Sequence, residues 1–170
     1  SNVANLEEFI GQKLQSRSNV EQVFQTLVTE IRSAGPSANG SYPIESVATS
    51  SFVFFSDVDQ DGVFERVRYT LGTSTVLRGV VEPSGNPLVY QTSTEIVRNV
   101  IGNVAVSTSS NFFDYFDLSY TGTQPPMVSP IDIARIRVVK VSVYVDTNPG
   151  KAPRPTLFMD TVTIRNLRSN

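Results

Sequence analysis

Three aspartates alternate with other residues in the sequence Asp57-Val-Asp-Gln-Asp-Gly62, and they are the first candidates for chemistry. In a calcium-binding loop, positions 1, 3 and 5 supply side-chain oxygens, and a glycine at position 6 makes the turn. Asp57, Asp59 and Asp61 occupy those three positions, and Gly62 follows them. The spacing therefore predicts a calcium site in this loop.

A metal-free turn is the competing interpretation of the same loop. Position 12, where calcium loops carry a bidentate acid, is Arg68, so Glu65 or a backbone carbonyl would have to complete the shell. Asp-Gly is itself a strong turn signal, and flanking aspartates favour Asx turns. The missing acid favours the metal-free turn slightly, and calcium binding by Asp57, Asp59, Asp61 and Glu65 stays open as the alternative.

Residue types restrict catalysis. The chain contains no histidine and no cysteine, which excludes the commonest general base and the thiolate nucleophile. Asp114 and Asp117 are three apart on a predicted strand, where they would point to opposite faces and could not flank one bond. Carboxylate, lysine or tyrosine chemistry stays open as an alternative that has only unpaired carboxylates behind it, and we predict that the protein is not an enzyme.

Two further clusters have a functional and a structural interpretation. The first is a set of aromatic side chains that could stack on sugars or a partner, although burial in the core is favoured. Its members are Phe112, Phe113, Tyr115, Phe116 and Tyr120. The second consists of Arg66 and Arg68 on one strand face and Arg78 on the neighbouring strand, a possible basic patch for phosphate. A solvated sheet face is favoured, because the net charge is −2 and argues against nucleic acid as a partner.

The first 34 residues have the pattern of an amphipathic helix. Apolar residues recur at steps of three and four from Val3 to Ile31. Weak helix formers at 16–19 predict a kink or break there. Gly35 and Pro36 end the helix, with Gly35 predicted to supply a left-handed residue after the last turn.

The rest of the chain, 44–170, has the pattern of a β-rich head. Period-two alternation predicts an antiparallel meander over 52–81, a short strand near 88–90, a strand over 111–120 and a closing hairpin formed by 135–146 and 157–165. A change in the phase of the alternation within 135–146 predicts a bulge near 138–139, or a strand that crosses between two packing environments. Residues 94–101 fit a short helix with apolar positions at Ile96, Val97, Val100 and Ile101.

Together these elements predict one domain, 1–170, of the α+β class. A long N-terminal helix (1–34) would pack on antiparallel β-sheets, with one additional short helix. At 170 residues such a chain can bury a sizeable core without disulfides. No apolar run approaches the roughly 20 residues that span a bilayer.

The order of these motifs resembles the minor pilins and pseudopilins, most closely the W-type minor pilins and the J-type minor pseudopilins of type II secretion. The resemblance rests on motifs that keep their order along nearly the whole chain. They are Glu30-Ile-Arg-Ser-Ala-Gly35, the strand entering Phe55-Ser-Asp-Val-Asp-Gln-Asp-Gly62, Glu65-Arg-Val-Arg-Tyr69, Val97-Arg-Asn-Val100, Phe113-Asp-Tyr-Phe-Asp117, the segment 136–145 and Thr161-Val-Thr-Ile-Arg-Asn166.

This resemblance implies a pilin-like fold and a non-catalytic subunit of a type IV pilus or type II secretion system that acts in filament initiation or at the tip. Such subunits are made as prepilins, cleaved by a prepilin peptidase and anchored in the inner membrane, with the head in the periplasm or outside the cell. The cleavage site and the transmembrane half-helix are then expected upstream of Ser1. Other pilin or pseudopilin subunits would bind the N-terminal part of the helix, through Val3, Leu6, Phe9, Ile10 and Leu14. The alternative is a secreted adhesion domain that binds calcium or carbohydrate.

Overall fold

A computed structural model describes residues 2–106, 110–148, 151 and 154–167, with side chains described from residue 17 onward. Within these residues, one helix and eight strands form the fold. Their bounds are α1 (Asn2–Arg32), β1 (Ile44–Val47), β2 (Ser51–Ser56), β3 (Glu65–Leu71), β4 (Val76–Val81), β5 (Ile96–Ile101), β6 (Phe113–Phe116), β7 (Val138–Val145) and β8 (Thr156–Thr163). Single 3₁₀ turns lie at Thr92–Thr94, Ile133–Arg135 and Arg165–Leu167.

The strands form two antiparallel sheets. Sheet 1 has the order β1-β2-β3-β4-β5, and sheet 2 has the order β6-β7-β8. The predicted meander over 52–81 is confirmed as β2, β3 and β4, in which Phe54 pairs with Val67 and Val67 pairs with Val80. The predicted closing hairpin is confirmed as β7 and β8.

The predicted α+β fold, with a long N-terminal helix packed on antiparallel sheets and one additional short helix, is wrong. The described chain is mostly β, and the helical segment with described side chains is only 17–32, sixteen residues. The physical reason is that the two sheets cover each other directly. The ring of Phe52 in sheet 1 lies 5.5 Å from the rings of both Phe113 and Tyr115 in sheet 2. Much of the core therefore lies between strands.

The additional helix predicted over 94–101 is strand β5 instead. Its apolar residues are β-branched, and they lose side-chain freedom in a helix but pack well on a pleated surface. Strand β4 also offers a free edge, and Gly79 pairs with Val97 across it. Spacing alone could not distinguish these outcomes, because pairing with β4 decides between them.

Helix α1 packs against both sheets. It contacts β2 and β5 of sheet 1 and β8 of sheet 2. Apolar side chains at helical spacing are buried in this contact: Val20, Phe24, Leu27, Val28 and Ile31. The helix continues through residues 16–19, so the predicted break there is wrong.

The chain leaves the helix directly onto sheet 1. The Gly35 N–H donates to the Phe55 carbonyl at 3.0 Å. Gly35 is not among the described residues with positive φ, so the predicted left-handed residue is wrong. Glycine is needed there for a different reason, because a Cβ would lie 2.7 Å from the Phe64 ring.

Two smaller predictions also change. Near residues 88–90 only an isolated bridge forms, between Ser84 and Val89. The predicted bulge lies at the start of β7, one residue earlier than expected: Phe116 pairs in register with Val138, and its carbonyl also accepts a hydrogen bond from the Arg137 N–H at 2.9 Å. Because two residues of the chain oppose one residue of β6 there, Ile136 and Val139 on either side of them are both buried.

Candidate functional site

The loop that carries the three aspartates connects β2 to β3. Two of its residues adopt positive φ, Gln60 at 64° and Gly62 at 90°. Glycine adopts this region without strain, whereas a glutamine there is uncommon. These two residues help the loop to turn, and the aspartate side chains lie around a common centre.

The aspartate carboxylates converge as the calcium hypothesis requires. One oxygen from each of Asp57, Asp59 and Asp61 lies within 4.8 Å of the others. Two oxygens bound to one calcium ion can be at most about 5.2 Å apart, twice the longest usual calcium–oxygen distance. The three carboxylates can therefore share one cation, and the spacing is also compatible with a metal-free loop.

The same carboxylates accept hydrogen bonds from the loop backbone. Asp57 Oδ1 accepts from the Asp61 N–H at 3.1 Å, and Asp57 Oδ2 accepts from the Gly62 N–H at 3.0 Å. Asp61 Oδ1 accepts from the Val63 N–H at 2.7 Å. The Asp61 bond is an Asx turn, as is a bond of 3.2 Å from the Asp61 N–H to Asp59 Oδ1, so the turns of the competing interpretation are also present. Because each carboxylate oxygen has more than one lone pair, they leave oxygens able to bind a cation.

Glu65 lies beside this centre but does not belong to it. Its Oε2 accepts a hydrogen bond from the Val58 N–H at 2.8 Å, and the residue is 2% exposed. Burial raises the pKa of Glu65, and the nearby negative charges of Asp59 and Asp61 raise it further. The structure thus brings together three of the four predicted ligands. The fourth, Glu65, holds the loop in place through its hydrogen bond with the Val58 N–H.

A polar cleft of about 730 Å³ lies next to the loop. Its walls come from helix α1, the loop and the 3₁₀ turn near the C-terminus. Amide, hydroxyl and carboxylate groups line it, among them Gln22, Gln25, Thr29, Asp57, Gln60 and Asn166. Sequence reasoning missed this cleft because its walls are far apart in the chain.

The aromatic cluster belongs to the core. Phe112, Phe113, Tyr115 and Phe116 are buried, and the ring of half-buried Tyr120 stacks on Phe116 with centroids 3.9 Å apart. These rings offer little surface for a sugar. The favoured interpretation of the sequence pattern is confirmed.

Asp114 and Asp117 have separate partners. Asp114 accepts from the Asn111 amide at 2.8 Å. Asp117 accepts from the Ser119 N–H at 3.0 Å and pairs with Arg135. Hydrogen bonds from Ser119, with a smaller contribution from Arg135, lower the pKa of Asp117. These partners stabilise each carboxylate in place.

The predicted arginine patch is divided between the two faces of sheet 1. Arg66 binds Glu45 through two hydrogen bonds of 2.9 and 3.0 Å from Nε, and Arg68 Nε donates to Glu95 at 2.8 Å. Both arginines are half-buried and each is paired with a glutamate, so solvent reaches this face in part. Arg78 pairs in register with Tyr69 and lies on the opposite face. No phosphate patch forms from these three arginines.

On that opposite face, Arg78 belongs to a buried polar cluster that ties the helix to sheet 1. Glu30 of α1 accepts a hydrogen bond from the Tyr69 hydroxyl at 2.7 Å and forms an ion pair with Arg78. Arg78 Nε also donates to the Tyr69 hydroxyl at 3.2 Å. Burial raises the pKa of Tyr69, and the charge of Glu30 adds to the effect. We call Glu30, Tyr69 and Arg78 the helix anchor.

Sequence reasoning missed the helix anchor, although the sequence contains a signal for it. Glu30 falls three residues after Leu27 on the apolar stripe, where a charged residue has to be paired when it is buried. Arg78 alternates with Val76 and Val80 on one strand face. Their pairing could not be inferred, since 48 residues separate them.

The predicted partner-binding side chains lie outside the described part of the chain. Val3, Leu6, Phe9, Ile10 and Leu14 fall in helix α1, where only the backbone is described. Their role as a binding surface therefore stays a prediction. Within the described residues, the structure has no helix with the length and apolar character of a bilayer span.

Comparison with protein-family models and with curated proteins finds no match for this chain.

Proposed function

We propose that this chain is a non-catalytic structural subunit of a bacterial filament, a minor pilin or minor pseudopilin that acts in filament initiation or at the tip. Its mechanism is association. The N-terminal part of helix α1 binds neighbouring subunits, and the C-terminal part is fixed to the head. In this proposal a membrane-spanning segment holds the subunit in the bacterial inner membrane, and the head lies outside the cytoplasm.

The helix anchor is the observation that supports this proposal best. Glu30 is 6% exposed, and burying a carboxylate is costly unless it is paired and hydrogen-bonded. The cluster determines both the rotation and the axial position of the helix on sheet 1. A subunit that assembles through its helix needs such a fixed joint, because the helix sets where the head lies in the filament.

The order of sequence motifs provides a second, separate support. The motifs quoted above from Glu30 to Asn166 follow one another in the same order as in the minor pilins and pseudopilins that the sequence resembles.

Helix substitutions test the proposal in the source bacterium. We expect Leu6→Glu with Phe9→Glu to abolish filament assembly or secretion, because two charges would enter a helix–helix contact. Gln12→Glu is the matched control and should leave assembly intact. Normal assembly by the double variant, at wild-type protein levels, would overturn the proposal.

Purified subunits test the same contact directly. The wild-type chain should co-elute with the soluble domain of at least one other pilin-like subunit from the same bacterium. The double variant should lose that co-elution while its melting temperature stays within a degree or two of the wild-type value. Failure to co-elute with every such subunit would contradict the proposal.

A calcium-binding adhesion domain is the second candidate, and the convergence of Asp57, Asp59 and Asp61 favours it. Calcium at 100 times its dissociation constant should raise the free energy of unfolding by about 2.7 kcal/mol. The measurement is a thermal melt in calcium and in chelator. Asp59→Asn should remove the calcium response, and Asp160→Asn on β8 is the matched control. An unchanged wild-type midpoint would exclude the site.

A further inference from the structure

Strand β5 forms an open edge of sheet 1. Its first four residues, 96–99, are all exposed, although a strand usually buries every second side chain. Ile96 is 61% exposed and Val97 is 45% exposed, and the two point to opposite faces of the sheet. The strand contains no proline, and Arg98 is its only charged residue, whereas prolines and charged side chains commonly protect an edge from pairing.

The backbone of this edge is also available. Among the described residues, no backbone hydrogen bond outside the β4–β5 ladder involves residues 96–101. The outer edge of β6 differs, because its Phe113 N–H donates to the Thr49 carbonyl and its Tyr115 carbonyl accepts from the Met127 N–H, both at 2.9 Å. One edge is covered by the chain's own loops, and the other still has the backbone groups that bind an added strand.

The positive charge of Arg98 indicates that a strand added to β5 should carry a negative charge opposite it. It lies directly opposite Arg78 across the β4–β5 ladder. Arg78 is neutralised by Glu30, whereas Arg98 has no ion pair among the described residues and is exposed. A second copy of β5 would bring no acid to Arg98, since the strand Ile-Val-Arg-Asn-Val-Ile contains none. An acidic side chain on an added strand would pair with it.

We propose that β5 binds an extended segment of a partner protein, which adds as a sixth strand to sheet 1 and places an acidic residue opposite Arg98. The backbone supplies most of the affinity, Ile96 and Val97 pack against alternate side chains, and Arg98 selects the partner by charge. This inference stands apart from the proposed function, because it concerns the sheet edge and would hold for any partner.

A model peptide tests the proposal with the whole chain. The probe is acetyl-Thr-Val-Glu-Val-Thr-Val-amide, and the measurement is amide hydrogen exchange resolved at residues 96–101. At about 5 mM peptide, a concentration suited to millimolar affinity, we expect exchange of the outward amides to slow about threefold or more. A peptide with lysine in place of glutamate should bind about two- to fivefold more weakly, as cross-strand charge pairs predict.

Two variants complete the test. Arg98→Glu should reverse the preference, so that the lysine peptide binds more tightly. Arg165→Glu makes the same charge change away from β5 and should leave the preference unchanged. Unaltered exchange in the presence of the glutamate peptide would overturn the proposal, and so would equal affinity for the two peptides. Protection that grows with protein concentration without peptide would assign the edge to a second copy instead.

Discussion

The two faces of sheet 1 use the same kinds of charged residues for different purposes. On the inner face, Glu30 and Arg78 are joined with Tyr69 between helix and sheet, and Glu30 is almost fully buried. On the outer face, Arg68 binds Glu95 from a loop that folds back over the strands. The inner pair connects helix α1 to sheet 1 and fixes how the helix packs on the sheet. The outer pair connects the segment before β5 to strand β3 within the same sheet.

This difference should appear as a difference in free energy. When a buried carboxylate is removed, its former partners keep a charge and hydrogen-bond donors that nothing compensates. A pair that solvent reaches contributes little, because water replaces the lost partner. The inner face should therefore respond strongly to substitution, and the outer face should respond weakly.

Removal of the Glu30 carboxylate from the helix anchor should have the largest effect on stability. Glu30→Ala leaves the Arg78 guanidinium and the Tyr69 hydroxyl without their acceptor, and we expect a loss of about 3 kcal/mol in the free energy of unfolding. The melting temperature should fall by roughly 6–12 °C. Glu21→Ala on the same helix breaks the exposed pair with Arg17 and should change stability by at most about 0.5 kcal/mol. Equal effects of the two substitutions would mean that the buried cluster contributes no more to stability than an exposed ion pair on the same helix.

A substitution on the outer face should have an intermediate effect. A Cβ at Gly79 would clash with Glu95 Oε1, so Gly79→Ala must displace the carboxylate from Arg68. We expect a loss of about 1 kcal/mol, measured by urea unfolding. In a Glu95→Ala background the same substitution should be neutral or slightly stabilising, since alanine is favoured over glycine in a strand. A loss that persists in that background would mean that Glu95 is not the group that requires glycine.

The titration of Glu65, another buried carboxylate on the inner face of sheet 1, should have the smallest effect on stability. Its pKa is raised above the ordinary value of 4.5 by burial and by Asp59 and Asp61, so the folded state favours the protonated form. That contribution is present below the ordinary pKa and is lost as the pH rises through the raised one. The melting temperature of Glu65→Gln relative to wild type should therefore increase between pH 4 and pH 7. A difference that stays flat with pH for Glu65→Gln would contradict the raised pKa of this residue.

The comparison also explains which parts of the site could be predicted. Asp57, Asp59 and Asp61 are close in the chain, so their convergence follows from turn chemistry within one loop. Glu30, Tyr69 and Arg78 come from a helix and two strands. Their contact depends on how the helix docks on the sheet, which no local pattern specifies.

Alternation in the sequence determined the meander, the closing hairpin and the buried aromatic strand, because side chains of one face must share one environment. Helical spacing likewise determined the buried stripe of α1. Only the tertiary structure decided that 96–101 form a strand, since the apolar residues of this segment fit either period and the free edge of β4 settled the choice. The tertiary structure also decided that Arg78 faces the helix, because the register between β3 and β4 sets which arginines share a face.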